Sequence, residues 1–300
     1  MKRRMPVCLE LAAGIRRVKG VKKHGSSYAR GGGCYGTMAA MFHERIGTQL
    51  VPPEPHFRWR GGEITRLEGF SDAVFAFAVT LLVVSLEVPR TFDELMFVMK
   101  GFVAFAICFA ALIQVWYYHY IYSRRYGLQT LYTIFLNAIL LFVVLFYVYP
   151  LKFLFTLVVG DLTGYTVPRE QLDRMVTSPH QVPVLMVVYS VGAVSVFTLF
   201  ALLYHYAYQK RKELELNEYE ALCTRNSVIH HVGFAGIAVL VAVAALLVPE
   251  KYAGSTGLLF CLNGLWGWIA GTVLGKQERL VLERMKANPA VPVHSVQLLS

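Results

Sequence analysis

The sequence predicts an all-α polytopic membrane protein with six transmembrane helices, and three observations carry that prediction. Hydrophobic residues make up 56% of the chain and charged ones only 16%, whereas a soluble protein carries about a quarter charged residues. Apolar runs of roughly 20 residues recur, each long enough to cross a bilayer core of about 30 Å. Lysine and arginine alternate in density from one connecting segment to the next, as loops on opposite sides of a membrane do.

Because lipid cannot satisfy backbone N–H and C=O groups, each run is read as a helix. The expected spans are 70–88, 101–122, 131–150, 184–208, 228–248 and 254–275. Of the 29 Lys and Arg residues, 23 fall on the side of the N terminus, the second and fourth connections and the C terminus. Basic excess marks cytoplasmic segments, so both termini are expected inside. The net charge of +10 follows this loop pattern, which argues against nucleic acid as a partner.

Before the first span, residues 1–61 read as a basic, flexible cytosolic tail, with Gly31–Gly33 and prolines at Pro52, Pro53 and Pro55. The short apolar run after Arg4 resembles a signal peptide only faintly, since Glu10 interrupts it. Residues 62–286 form the expected six-helix domain, and 287–300 a second cytosolic tail. The connection at 89–100 is short, so the first two spans pair as a hairpin. The apolar stretch 151–159 either prolongs the third helix or lies along the interface. Residues 209–226, with mixed Lys and Glu, read as a solvated helix continuing the fourth span. In the sixth span, Gly267-x-x-x-Gly271-x-x-x-Gly275 is a helix-packing spacing.

Five cysteines (Cys8, Cys34, Cys108, Cys223, Cys261) are scattered without metal-ligand spacing, and no cofactor is expected. His230 and His231 read as interfacial. No Gly-x-Ser-x-Gly or His-Glu-x-x-His pattern occurs, so the chain is not expected to be an enzyme.

The informative segment is Arg66-x-x-x-Phe70-Ser71-Asp72, which runs directly into the first apolar stretch. A carboxylate deep in a membrane costs about 2.5–3.5 kcal/mol at a helix centre on insertion scales, so it has a function or a partner. Basic groups, Trp116 and His119 are the candidate partners for Asp72. Trp116 and His119 sit i, i+3 on one helix face; an interfacial aromatic belt would produce the same pattern. Asn137 fits interhelical hydrogen bonding. Along the first span, Ala73, Phe77, Thr80/Leu81, Val84 and Val88 form one stripe. Periodicity reads that stripe either as a packing face or as the wall of a central pore with apolar rings.

Arg66-x-x-x-Phe70-Ser71-Asp72 followed by the run from Ala73 to Leu82, with Trp116-x-x-His119 and Leu136-Asn137 further on, resembles the signature of the transmembrane protein 175 family of potassium channels. The resemblance extends over about 62–286, and beyond the second span it is mainly topological. It implies that the first helices of several subunits, most plausibly four in a homotetramer, surround the pore. Phe77, Leu81 and Val84 would then form the constriction and Thr80 a hydroxyl ring. Phe77 departs from the Ile or Leu that the family favours there. Arg66, Phe70, Ser71, Asp72, Trp116, His119 and Asn137 would brace or gate the helix.

The expected function is therefore a potassium-permeable channel, an integral protein of the bacterial inner membrane whose partners are potassium, other monovalent cations or protons, and the lipid bilayer. Apolar rings gate by dewetting, and the chain carries no Thr-Val-Gly-Tyr-Gly filter loop. The alternative is a proton-conducting channel or transporter that uses Asp72 and His119.

Overall fold

The structure is a computed structural model and describes residues 56–84, 90–163, 178 and 180–287, all within one compact unit, Pro53–Ser300. The expected tail, most of 1–61, and the C-terminal 288–300 lie outside the described residues. All regular elements described are helical: α1 Arg66–Val84, α2 Phe92–Lys100, α3 Phe102–Tyr126, α4 Leu131–Thr163, α5 Gln181–Gln209, α6 Glu218–Leu247, α7 Glu250–Ala253, a 3-10 turn Gly254–Cys261 and α8 Leu262–Ala287. Five of them are long and apolar enough to cross a membrane: α3, α4, α5, α6 and the stretch Gly254–Ala287. The remaining one of the six expected spans, the first, corresponds to α1, which has 19 residues and carries Arg66, Glu68 and Asp72 in its first two turns.

Local chemistry sets the helix ends. At the start of α1, Thr65 Oγ1 accepts from the Glu68 N–H (3.1 Å) and Glu68 Oε2 accepts from the Thr65 N–H (3.1 Å), a reciprocal capping box. The helix therefore begins at Arg66 rather than at residue 70, and the motif forms its first two turns. Gly127 ends α3 in the left-handed region (φ 57°), and its N–H donates to Ser123 O. A second box, Asn217 with Glu220, starts α6.

That second box corrects the expected connection. Residues 209–226 do not continue the fourth span; α5 stops at Gln209, and Glu218–Asn226 are the opening turns of α6. In the turn between them, Lys210 Nζ donates to Glu213 Oε1 (2.6 Å), and that bond raises the lysine pKa. Two other connections carry helix, the second by one of its two expected courses. The first outer connection contains α2, and 151–159 prolongs α4 through Pro150 to Thr163.

Packing is ordered along the chain. α1 lies against α3 and α4, α4 also meets α5, α5 pairs extensively with α6, and α6 meets α8. The core runs through Phe75, Ala78 and Leu82 of α1, Tyr122 and Tyr126 of α3, Leu140 of α4, and Phe200, Leu203 and Tyr204 of α5. Two glycines allow aromatic rings to reach a neighbouring backbone. The Tyr147 ring covers Gly192 and its hydroxyl donates to Val188 O (3.0 Å). The Trp266 indole covers Gly233 and its Nε1–H donates to His230 O (3.0 Å). Of the glycines in α8, Gly271 and Gly275 face open space and Gly267 meets only Phe234, so Gly233 makes the close helix contact instead.

Candidate functional site

The reciprocal cap fixes where α1 starts, and 100° per residue then sorts its side chains onto two faces. Ser71, Phe75, Ala78 and Leu82 are buried against α3 and α4. Phe70, Ala73, Ala76, Phe77, Thr80 and Val83 lie on the opposite, exposed face, with Phe70 62% and Phe77 54% exposed. Leu81 sits at the margin between the faces and packs partly on the core. Val84 is the last residue of α1, and Val88 lies outside the described residues. Thr80 Oγ1 donates to Phe77 O (2.7 Å). Its proton is thus held by its own helix while the oxygen lone pairs stay available on the exposed side.

The bracing residues separate into two contacts. Trp116 Nε1–H donates to Asp72 Oδ1 (2.9 Å), tying α1 to α3 at the edge of the exposed face. One helical turn along α3, His119 Nε2 meets Asn137 Oδ1 at 3.1 Å, tying α3 to α4. An amide oxygen only accepts, so His119 is the donor. Both partners are buried, at 1% and 2% exposure. Phe75 of α1 rests on the His119 ring (centroids 5.9 Å), which brings all three helices together at this level. Ser71 is fully buried and donates to Leu67 O (2.8 Å), so it fills the tight α1 contact without exposing a hydroxyl.

Three expected members behave differently. Arg66 is exposed, and its side chain makes no hydrogen bond or ion pair among the described residues. Phe70 points outward with the exposed face. His119 does not reach Asp72 with a hydrogen bond, because Asn137 takes its Nε2. The sequence reading passed over Glu68, which caps α1 and lies 3.9 Å from Arg124 Nε of α3. The Thr65-x-x-Glu68 spacing was the available signal for it.

Of the two histidines read as interfacial, His230 is half-buried, while His231 is enclosed within the bundle (3% exposed) and stacks on Tyr204 with Tyr118 and Phe200 nearby. Among the described residues no group of His, Cys, Asp and Glu is arranged to hold a metal.

These features define a helical membrane protein in which one helix, bare along a side that carries no charge from Ala73 to Val83, is tied to α3 by an exposed hydrogen bond and rests on a buried polar pair that joins α3 to α4. The family described as endosomal/lysosomal potassium channel TMEM175 matches residues 66–147, the segment that holds the whole brace. A potassium channel from Marivirga tractuosa is 40% identical over 241 residues, which is 78% of this chain and 97% of that protein. The solved structure of the potassium channel MtTMEM175, a threonine-to-alanine variant bound to a nanobody–MBP fusion, is similar with a TM-score of 0.67. Its identity to this chain is 39%, across 75% of this chain and 100% of that one. The chain belongs to the TMEM175 family of potassium channels, which are not enzymes.

Proposed function

We propose that the chain conducts potassium across a lipid bilayer through a pathway walled by the exposed faces of α1 from several copies, four in the expected assembly. The observation that carries this reading is the bare face of α1. A protomer that buries Ser71, Phe75, Ala78 and Leu82 leaves Ala73, Phe77 and Thr80 uncovered along one side. Copies meeting along that side would stack a phenyl ring of Phe77, a hydroxyl ring of Thr80 and flanking contributions from Leu81 and Val84. Rings of apolar side chains hold water poorly when narrow, and they conduct once slightly widened. Thr80 would offer its oxygen lone pairs to a cation that sheds part of its water between those rings. The brace from Trp116 and Asp72 sits at the rim of this face, where it would fix the rotation of α1 and with it which side chains point inward.

The loop charges favour N and C termini in the cytoplasm, and the bacterial relative favours a bacterial inner membrane. Protein reconstituted in liposomes should pass potassium, with a reversal potential that follows the potassium gradient. Phe77→Ala should raise the flux and Thr80→Ala should alter the potassium-to-sodium ratio. Folded wild type without flux, together with a silent Leu81→Ala, would overturn the reading. A reversal potential that tracks pH would instead favour proton conduction by way of Asp72 and His119.

A further inference from the structure

The residues leading into α1 are held by contacts to both α3 and α6. Phe57 is buried against Tyr126 (centroids 6.0 Å, edge-on), with the Arg125 guanidinium 4.8 Å from its ring centre. The Arg58 N–H donates to Glu220 Oε1 (2.7 Å), and Arg60 Nη2 donates to Glu220 Oε2 (2.6 Å). The Asn217 N–H also donates to Oε2 (3.1 Å), so this buried carboxylate, 1% exposed, is satisfied on both oxygens. The rest of the Arg60 fork reaches Leu214 O (2.7 Å), Arg58 O (2.9 Å) and Glu215 O (3.2 Å). Glu215 is, among the described residues, the one non-glycine with positive φ (50°), a conformation that L side chains rarely adopt. Its carbonyl is one of those that Arg60 holds.

Arg124 grips the same lead-in from the α3 side. The N–H groups of Arg60 and Gly61 both donate to Arg124 O (3.1 Å each), and Arg124 Nη1 donates to Gly61 O and Gly62 O (3.2 Å each). A Cβ on Gly61 would come within 2.7 Å of Ser123 O, so the close approach requires glycine. Gly62 then stands in open space between this grip and the Thr65 cap.

The topology gives these contacts their consequence. α1 packs on α3 and α4 and, among the described residues, does not approach α5, α6 or α8. The lead-in is therefore where the α5–α6 turn and the start of α6 bear directly on the chain that becomes α1. We propose that Arg60 and Glu220 are positioning residues for α1. Their ion pair latches the lead-in to α6, so that movement of the α5–α6 turn pulls or releases the first turn of α1 and changes how often the pathway is open. A buried pair of this kind favours two discrete states, because a half-broken latch leaves a charge buried without a partner. The proposal rests on α1 being the pore wall.

The test is single-channel recording of the full-length protein in planar bilayers, alongside thermal unfolding of the same preparations. Arg60→Gln and Glu220→Gln should each shift the open probability at least threefold at unchanged unitary conductance. The double variant should match the single ones, since either change breaks the same latch. Arg60→Lys keeps the charge but loses the fork to Leu214 O and Glu215 O, and should give a smaller shift in the same direction; it decides the matter if the glutamine variants do not fold. Unchanged open probability in folded variants whose melting temperature alone falls would overturn the proposal, as would additive shifts. Thr80→Ala in the same bilayers separates this outcome from failure of the pore reading: conductance and ion ratio unchanged there would mean that α1 is not the wall.

Discussion

At the scale of residues, the polar groups around α1 act through single contacts that orient rather than through charge. His119 and Asn137 are almost fully enclosed, and each satisfies the other across the α3–α4 contact. Asn137→Leu keeps the volume and removes the acceptor, which leaves the His119 N–H without a partner. An unsatisfied buried donor and a lost interhelical bond cost about 1–2 kcal/mol together, so a lowered melting temperature in detergent is expected. Asp72 differs, because it is exposed at the rim with Trp116 as its donor. The motif spacing brought Asp72, Trp116, His119 and Asn137 into one neighbourhood on paper. What spacing could not supply was the pairing, which depends on the rotation of α3 that places Trp116 toward α1 and His119 toward α4. Arg66 shows the opposite outcome: a member of the motif by sequence, it has no side-chain partner among the described residues, while the unremarked Glu68 caps the helix.

At the scale of elements, small residues decide which helices touch closely. The Trp266 indole lies where a side chain on Gly233 would be, and its N–H reaches the backbone of α6. Gly233→Ala forces ring and methyl apart, and such overpacking costs about 1–3 kcal/mol. Gly271→Ala puts its methyl into open space and should change protomer stability by no more than about 0.5 kcal/mol. Thermal unfolding of the two variants checks the contrast; equal losses would mean that α8 packs by its glycine stripe after all. That stripe was visible in the sequence but makes no close helix contact within the protomer, because a glycine spacing shows where a helix can come close and not which helix does. The α5–α6 turn teaches the same lesson. Lys and Glu mixing suggested one continuous helix, but the Asn217–Glu220 box and the left-handed Glu215 start a new one.

At the scale of the whole molecule, the bundle has two groups of helices, α1 with α3 and α4, and α5 with α6 and α8, joined where α4 and α3 meet α5. The proposed pore face belongs to the first group, and the Arg60–Glu220 pair links its entrance to the second. Accessibility scanning of the intact protein in membranes tests the orientation that the loop charges predict. Cysteines introduced at Gln129 and at Lys286 should both react from the cytoplasmic side only, and reaction of either from the opposite side would refute six spans with both termini inside.

The sequence by itself determined the class of the protein: apolar runs of bilayer length, a basic bias on one side, and the Arg66 to Asp72 motif at the head of the first helix are all properties of the chain in order. It also held the start of α1 in the Thr65-x-x-Glu68 spacing, a signal that an apolar-run count starting at residue 70 misses. Only the tertiary structure decided which face of α1 stays bare, that Leu81 stands at its margin, which polar groups pair, and that residues 57–62 are bound to α3 and α6 rather than loose. Each of those depends on contacts between residues far apart in sequence, Arg60 with Glu220 and Trp116 with Asp72 among them, and helical periodicity within one segment cannot say which neighbour a face will meet.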